Sequence, residues 1–548
     1  VTERIITAPL GVQAGLGFAE LATIVGADAL ARHRAVTADN VILPTLVGDH
    51  GGFLALERSG RQPADFEAAR VQAVLDALTL LGVDATLDDA PDANTADPRI
   101  LHPAIVAFVR LYEEGIIDQI DAVVAVCPSC ATVIEGPDAV AGSVEADVLH
   151  VVFDADTDFV VRIVAPELIE GAVAVAVPLG DVRVGTEIVL PLVGRRVPVI
   201  AEIGRSEAGL VVPAHDADAL ELARAHGLPP IHVFDEHGTR YAARQAAREL
   251  LEAEGVVREV TPGEEAVERC RHCRSIAVHL LGPHWMLRGA SLEVGAADVV
   301  RDGLVSFVPS DARDAFLSTT TTARAWCLDR RLPGGVPLPV ATCEECGRAS
   351  IDVTPSARCG KCLGILRRDP GATLDARFVA ALWPLAMAGW PAPLRFRRAE
   401  SAEKPSITAV VPPDQLACWL LPALAFAQHF TGDVPFGAVV VQPPSQAGDD
   451  IDIDALLARA TEGDTAHAEG PGRTAVRLTL LSGDPNVTIE PGVADDAHAA
   501  AAVDDARRAL DEAGPAQAAA LFIAALNSGL STSARARAAP FLGAGFTS

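Results

Sequence analysis

Four C-x-x-C pairs constrain this chain more tightly than any other feature. Cys127/Cys130, Cys270/Cys273, Cys343/Cys346 and Cys359/Cys362 take eight of its ten cysteines. The stretch Val1 to Leu10 lacks the basic patch and long apolar run of a signal peptide. The thiols are therefore expected in a reducing compartment, where this spacing reads as metal ligation before disulfides. Cys343-Glu344-Glu345-Cys346 and Cys359-Gly360-Lys361-Cys362 bracket the turn-forming stretch 347–358. That is the pattern of a zinc ribbon, with four thiolates arranged tetrahedrally and closed to substrate. Gly347 and Gly360 stand where knuckle turns favour glycine. The other two pairs lie far apart, on either side of a β-rich stretch, and bringing them together would close a second four-thiolate zinc site. A redox C-x-x-C is the alternative there, disfavoured because there are two such pairs. Neither quartet suggests an open coordination position, so both zincs are expected to be structural. Cys327 and Cys418, each beside a tryptophan, read as core residues rather than nucleophiles.

At 548 residues the chain needs several domains with sizeable cores. In the first hundred or so residues, short Val/Ile/Leu runs alternate with Ala-rich helical patterns. Strands are expected near Ile5 to Ala8 and Val41 to Pro44, and helices over Phe18 to Arg34 and Pro63 to Leu81. Such alternation argues for a parallel α/β sheet. From Leu149 to Phe234 the texture becomes β-rich, with runs Phe159 to Val164, Ala172 to Val177, Glu187 to Val193 and Arg196 to Ala201. Helical pattern resumes at Arg240 to Glu254, and α/β alternation returns from Arg377 to Gln442. The predicted divisions are 1–145 for the first half of an α/β core with a connective region, 146–260 for an inserted β domain, and 261–370 for a connective region carrying Cys pairs. The second half of the core follows over 371–490 and a short helical tail over 491–548. Ser445 to Gly470 is acidic and reads as a loop.

The net charge is −29, and the only lysines are Lys361 and Lys404. A protein that grips a polyanion normally needs a basic surface to displace counterions, so nucleic acid is a disfavoured partner. No window offers about eighteen consecutive apolar residues, which argues against a membrane-spanning helix and for a cytoplasmic protein.

Particular residues resemble the valyl/isoleucyl/leucyl branch of the class I aminoacyl-tRNA synthetases. Trp326-Cys327-Leu328-Asp329-Arg330-Arg331-Leu332, through Gly335 and Pro339 to Cys343, is similar to that family's W-C-I-S-R-Q-L-W-W-G-H-R-I-P-V-W-Y-C. Leu374-Asp375-Ala376-Arg377-Phe378, with Ala381-Leu382-Trp383-Pro384 and Gly389-Trp390-Pro391, resembles L-D-T-W-F-S-S-A-L-W-P and a later G-W-P. Leu190 to Arg195 and Pro213 to Asp216 resemble the L-P-L-V-G-R and T-P-A-H-D of the valyl editing domain, and Asp414 with Trp419 resembles T-G-x-D-I-x-x-F-W. The motifs run in the family's order over residues 5–485. The resemblance implies an α/β fold: a Rossmann-type nucleotide-binding core, an inserted β-rich editing-like domain, zinc ribbons and a short helical C-terminal tail. It also strengthens the second cysteine quartet, since some members of this branch close such a site.

The same resemblance exposes departures at the chemical centres. Ala8 to Leu16 takes the place of P-P-P-N-V-T-G-S-L, and the H-I-G-H signature becomes Gly17-Phe18-Ala19-Glu20. In the family those imidazoles donate to the triphosphate, whereas Glu20 would meet it with like charge. Losing one preorganised donor costs about a hundred- to a thousandfold in rate. The K-M-S-K-S signature corresponds to Val439 to Asp454, which contains no lysine. In the editing-like domain, Ile163-Val164-Ala165-Pro166-Glu167-Leu168 stands for T-T-R-P-E-T, and Leu210 and Val212 stand where Lys and Thr are expected. Asp216 is the one polar anchor kept. Asp49-His50-Gly51-Gly52 resembles T-D-H-A-G, whose aspartate binds the amino acid's ammonium. Pro9, Asp49, His50, Asp414 and Trp419 are thus candidates for an amino-acid pocket; the alternative is that Asp49 caps a helix and Trp419 is core.

Ala475-Val476-Arg477-Leu478 resembles D-A-L-R-F, after which family members continue into an anticodon-binding domain that is expected to be missing here. The implied function is that of a valyl-tRNA synthetase-like protein acting as a non-aminoacylating binding or regulatory module. Such a module would hold a free, valine-like amino acid, with tRNA an unexpected partner, the protein partner unspecified and ATP used only if activity survives. The alternatives are an amino-acid-activating ligase repurposed for small-molecule metabolism and a residual valine–tRNA ligase using ATP, valine and tRNA.

Overall fold

A computed structural model describes residues 4–7, 10–11, 18–34, 41–42, 46–47, 72, 76–83, 98–154, 158–234, 240–320, 325–332, 336–353, 356–391, 407–442, 481 and scattered positions between 505 and 521. The chain divides into two compact units. One comprises Val1–Ile117, Arg288–Trp326 and Leu332–Ser548, the other Asp118–Leu287 and Cys327–Arg331.

The first unit is built on an all-parallel five-stranded sheet, in the order Ser306–Val308, Ala438–Val441, Ile407–Val411, Arg4–Thr7, Val41–Ile42. Parallel strands are covered on both faces and so read as continuous apolar runs, as RIIT, ITAVV and AVVV do here. The helix Phe18–His33 returns from the first strand and packs Ala27, Leu30 and Ala31 on Ile5, Val410 and Val440. The helix Leu421–Thr431 joins two neighbouring strands and packs against Ala290–Arg301. It ends where Gly432 turns left-handed (φ 69°) and donates its N–H to the Gln428 carbonyl at 2.8 Å.

Gly26 lies inside the first of these helices, where glycine costs about 1 kcal/mol relative to alanine. The residue has to be small because a Cβ there would fall on the carboxamide of Gln442, which is 2% exposed just beyond the strand Ala438–Val441. Gly26→Ala is therefore expected to destabilise the unit by about 1–3 kcal/mol, despite alanine's better helix propensity. Adding Gln442→Ala should recover most of that loss in urea unfolding, and a stabilising single variant would refute the packing account.

A three-stranded antiparallel ribbon, Ala349–Ile351, Val340–Cys343 and Leu366–Arg367, carries one cysteine quartet within this unit. Two of the quoted motifs also meet there. Trp326 Nε1 donates to Asp375 Oδ2 at 3.2 Å, Arg377 pairs with the same carboxylate at 2.8 Å, and the guanidinium lies 5.0 Å from the Trp326 ring. Asp375 also caps the helix Ala376–Ala381 by accepting from the Arg377 N–H.

The second unit is β-rich. One sheet runs Glu187–Val189, Arg196–Glu202, Ala174–Pro178, Gly209–Val211, and another runs Val257–Cys270, Ala139–Asp154, Phe159–Ile163. Leu149, Val151, Phe159 and Val161 of the latter share a core with Val175, Val177, Val197 and Val199 of the former. This unit is wider than the 146–260 read from sequence texture. The strands Ala139–Asp154 and Val257–Cys270 pair along almost their whole length, from His150 opposite Glu259 out to Ala139 opposite Cys270. Along Ala141 to Asp147 the ribbon is largely exposed and has no apolar run to announce it. Among the described residues, no helix is long and apolar enough to cross a membrane.

Candidate functional site

In an open parallel sheet, ligands bind at the carboxyl ends of the strands where the chain's direction of travel across the sheet reverses. Here that point lies between Arg4–Thr7, which continues to Val41–Ile42 on one side, and Ile407–Val411, which continues to Ala438–Val441 on the other. The segments leaving these strand ends lead to the helix Phe18–His33 and to Asp414. Glu20 occupies the first turn of that helix and is partly exposed. A helix N-terminus attracts anions through its unpaired N–H groups and dipole, and Glu20 places a carboxylate of the protein itself in that turn. Phe18 and Ala19 are helical, but their side chains, together with Pro9, Gly17, Asp49 and His50, lie outside the described residues.

Asp414 is exposed at the C-terminal side of its strand. Trp419 is 2% exposed in a π-helical turn, Leu416–Leu420. Its indole N–H donates to the Ala380 carbonyl at 3.0 Å and its ring lies 5.8 Å from that of Phe436. The side chain is thus packed and satisfied.

The β-rich unit brings its retained motif residues into structural roles. Asp216 caps the helix Ala217–Ala225, accepting from Ala219 N–H at 2.7 Å. An Asp directly before a helical run is a capping signal that the sequence itself offers. His215 Nδ1 lies 2.7 Å from the His279 carbonyl, and Nε2 accepts from Val233 N–H at 3.0 Å. Glu167, in the segment that replaces T-T-R-P-E-T, is 3% exposed and gripped by Arg244 at 2.8 Å, which also reaches Glu265 at 2.6 Å. No sequence signal announces this triad, because its members come from separate elements. Cys327 is 1% exposed, and burial pushes its thiol well above the usual range, which leaves it no ready nucleophile.

Both cysteine quartets assemble. In the β-rich unit, Cys127 Sγ lies 3.3 Å from Cys273 Sγ, and Cys130 lies 3.9 Å from Cys270 and 3.6 Å from Cys273. In the other unit, Cys343 lies 3.4 Å from Cys362, and Cys346 lies 3.7 Å from Cys359. Each set of four sulfurs falls within 4.8 Å of one another. Four thiolates about 2.3 Å from a tetrahedral zinc sit roughly 3.8 Å apart, so the donor sets fit that ion. Without a cation the crowded sulfurs keep their protons: hydrogen bonds from Cys127, then Cys270, push the Cys130 thiol far up, so an ion must displace that proton to bind. In the ribbon, the N–H groups of Lys361 and Cys362 hold Cys359 down to about 6.

All four knuckles are alike. In each, the residue after the second cysteine donates its N–H to the carbonyl of the first, at 2.9–3.0 Å, and turns left-handed. Those residues are Ala131, Arg274, Gly347 and Leu363. Gly347 thus takes the turn expected of it, whereas Gly360 does not; Leu363 adopts the left-handed conformation in its knuckle. The glycine that matters beside it is Gly364, where a Cβ would lie 2.9 Å from Cys343 Sγ.

The family described as tRNA synthetases class I (I, L, M and V) matches residues 61–360. Valine–tRNA ligase of Geobacter sulfurreducens is 29% identical over 440 residues, covering 75% of this chain and 49% of that protein. Valine–tRNA ligase of Thermotoga maritima is 28% identical over 384 residues, covering 65% of this chain and 44% of that protein. The chain thus spans about half the length, or less, of these curated relatives. Among solved structures, the LeuRS of Agrobacterium radiobacter K84, in a ternary complex with tRNA and LeuAMS, aligns with a TM-score of 0.47 and 14% identity, covering 100% of this chain and 84% of that one.

Proposed function

Because this chain belongs to the class I tRNA synthetases of the I, L, M and V group, we propose that it is a valyl-tRNA synthetase-like binding or regulatory protein that does not form aminoacyl-adenylate. Glu20 carries the proposal. It stands in the first turn of the helix that follows the first strand, at the edge of the sheet where a nucleotide's phosphates would lie. Adenylation builds negative charge on the departing pyrophosphate, and the chemistry needs donors there. A carboxylate in that turn meets the polyphosphate with like charge where a donor is needed. The segment Val439 to Asp454 has no lysine to offset this charge, and arginine does not reproduce an ammonium's geometry.

The β-rich unit supports the same reading for hydrolytic editing. Asp216, His215 and Glu167 are each engaged in a cap, a backbone clasp or an ion pair, and the hydroxyl positions of the family motif hold Ile163 and Val164. The two cysteine quartets act in this proposal as structural zinc sites. The ligand is a free amino acid of valine's size held near Asp414, and the net charge of −29 disfavours tRNA as a partner. A cytoplasmic location belongs to the same proposal.

The decisive measurement is pyrophosphate exchange. With zinc-loaded protein, ATP and valine, exchange is expected to stay at background, while calorimetry detects valine binding. Brisk ATP–pyrophosphate exchange would overturn the proposal and establish a working ligase.

A further inference from the structure

Neither tetrad uses a third group of metal-type donors in the β-rich unit. His284, Cys327 and Asp329 offer a ring nitrogen, a sulfur and a carboxylate oxygen, all within 4.8 Å of one another. His284 Nδ1 is 3.1 Å from Asp329 Oδ2, and Cys327 Sγ is 3.3 Å from Asp329 Oδ1. Nitrogen, oxygen and sulfur bonds of about 2.0–2.3 Å in a tetrahedral arrangement place donors roughly 3.3–3.8 Å apart. His284 and Cys327 each approach one oxygen of Asp329 at close to the separation an ion would impose, and all three donors lie within 4.8 Å of one another.

The donors are also held from behind, as a ligand set must be. Asp329 Oδ1 accepts the Trp285 N–H at 2.9 Å, which fixes the carboxylate. The Cys327 N–H donates to Glu135 Oε2 at 3.2 Å, and Arg330 donates to the Cys327 carbonyl at 2.7 Å. Arg330 in turn pairs with Glu135 at 3.3 Å, its own side chain 2% exposed. In the absence of an ion the Cys327 thiol donates to Asp329 Oδ1, so the three donors already converge with a proton in the place a cation would take.

We propose that His284, Cys327 and Asp329 bind a divalent transition-metal ion of the zinc class. The mixture of nitrogen, sulfur and oxygen donors suits a borderline ion and disfavours both calcium and copper(I). The thiol binds as thiolate, its proton passing to solvent when the ion arrives. The side chains of His284 and Asp329 are 16% and 23% exposed, so one side of the trio faces solvent and leaves the fourth position to water. Unlike the closed tetrads, this site keeps an exchangeable coordination position.

Native mass spectrometry at buffered nanomolar free zinc tests the site. Wild-type protein is expected to hold one more zinc per chain than His284→Gln or Asp329→Asn, variants that keep a polar group for their neighbours. The difference, rather than the total, reads this site, so the result stands whether the tetrads are filled or not. Equal counts in the wild type and both variants would overturn the proposal. Cobalt titration of the wild-type chain needs no variant: one equivalent should develop bands with single-thiolate charge-transfer intensity, apart from the stronger four-thiolate bands. Saturation without that component would also overturn it.

Discussion

Replacing Arg244 with methionine is expected to destabilise the β-rich unit by about 3–5 kcal/mol. The guanidinium donates from Nε to both Glu167 oxygens at 3.1 Å, from Nη2 to Glu167 at 2.8 Å, and from Nη1 to Glu265 at 2.6 Å. The Glu167 and Glu265 side chains are only 1% and 11% exposed. Without the guanidinium, two carboxylates stay close together in low-dielectric surroundings, which is worse than either never having been charged. Methionine keeps much of the apolar stem's packing, so the loss reports charge rather than volume. Arg244→Lys should recover little, since one ammonium cannot make the forked contact to Glu167 and still reach Glu265. Adding Glu167→Gln and Glu265→Gln to the methionine variant should return most of the stability. Urea unfolding followed by hydrogen exchange over residues 159–171 reads the effect, and a single variant within about 0.5 kcal/mol of wild type would refute the buried-triad account.

What the sequence reveals and what it hides follow from how local each feature is. The helix expected over Phe18 to Arg34 is found at Phe18–His33, and the run Arg196 to Ala201 is found as the strand Arg196–Glu202. Both bury an apolar pattern that the sequence displays. The cysteine quartets were legible for the same reason, because a C-x-x-C knuckle is a local device that needs only one turn to form. The long ribbon Ala139–Asp154 with Val257–Cys270 was hidden because its middle, Ala141 to Asp147, meets water and has no apolar alternation to betray it. That ribbon places Cys270 at its far end, where it joins a partner pair 140 residues earlier, counted from Cys130. The Arg244 triad and the His284–Asp329 contact were equally hidden: a buried ion pair is fixed by three-dimensional neighbours, and no spacing rule encodes it. At the sheet edge the motif residues were legible by resemblance, but Trp419 has its N–H on a backbone carbonyl and its ring packed in the core. Whether it also walls a pocket is a matter of what binds there rather than of pattern.

Stripping zinc from the protein with a strong chelator should have the largest effect of all, and an uneven one. Residues 340–367 are expected to unfold outright. Their three strands are only four, three and two residues long, and Leu363 and Ile365, at 71% and 45% exposed, contribute no core. With so little apolar burial, the ion is the organising interaction, and structural zinc contributes about 10–16 kcal/mol at neutral pH. The tetrad in the β-rich unit acts on a different background. It closes a loop spanning the 140 residues from Cys130 to Cys270, a constraint worth about 4–5 kcal/mol on the unfolded chain. The core formed by Leu149, Val151, Val175 and Val197 does not depend on it, so that unit should lose stability and keep its sheets. Hydrogen exchange would show the contrast directly, with full exchange over 340–367 and retained protection over 159–163 and 174–178. Acidification should mimic the chelator, because falling pH reprotonates thiolates and releases metal. Gly364→Ala, which pushes a methyl group against Cys343 Sγ, should release the ribbon's ion at a higher pH than wild type. Unchanged exchange in both regions after chelation would mean that the eight thiols fold without an ion at their centres.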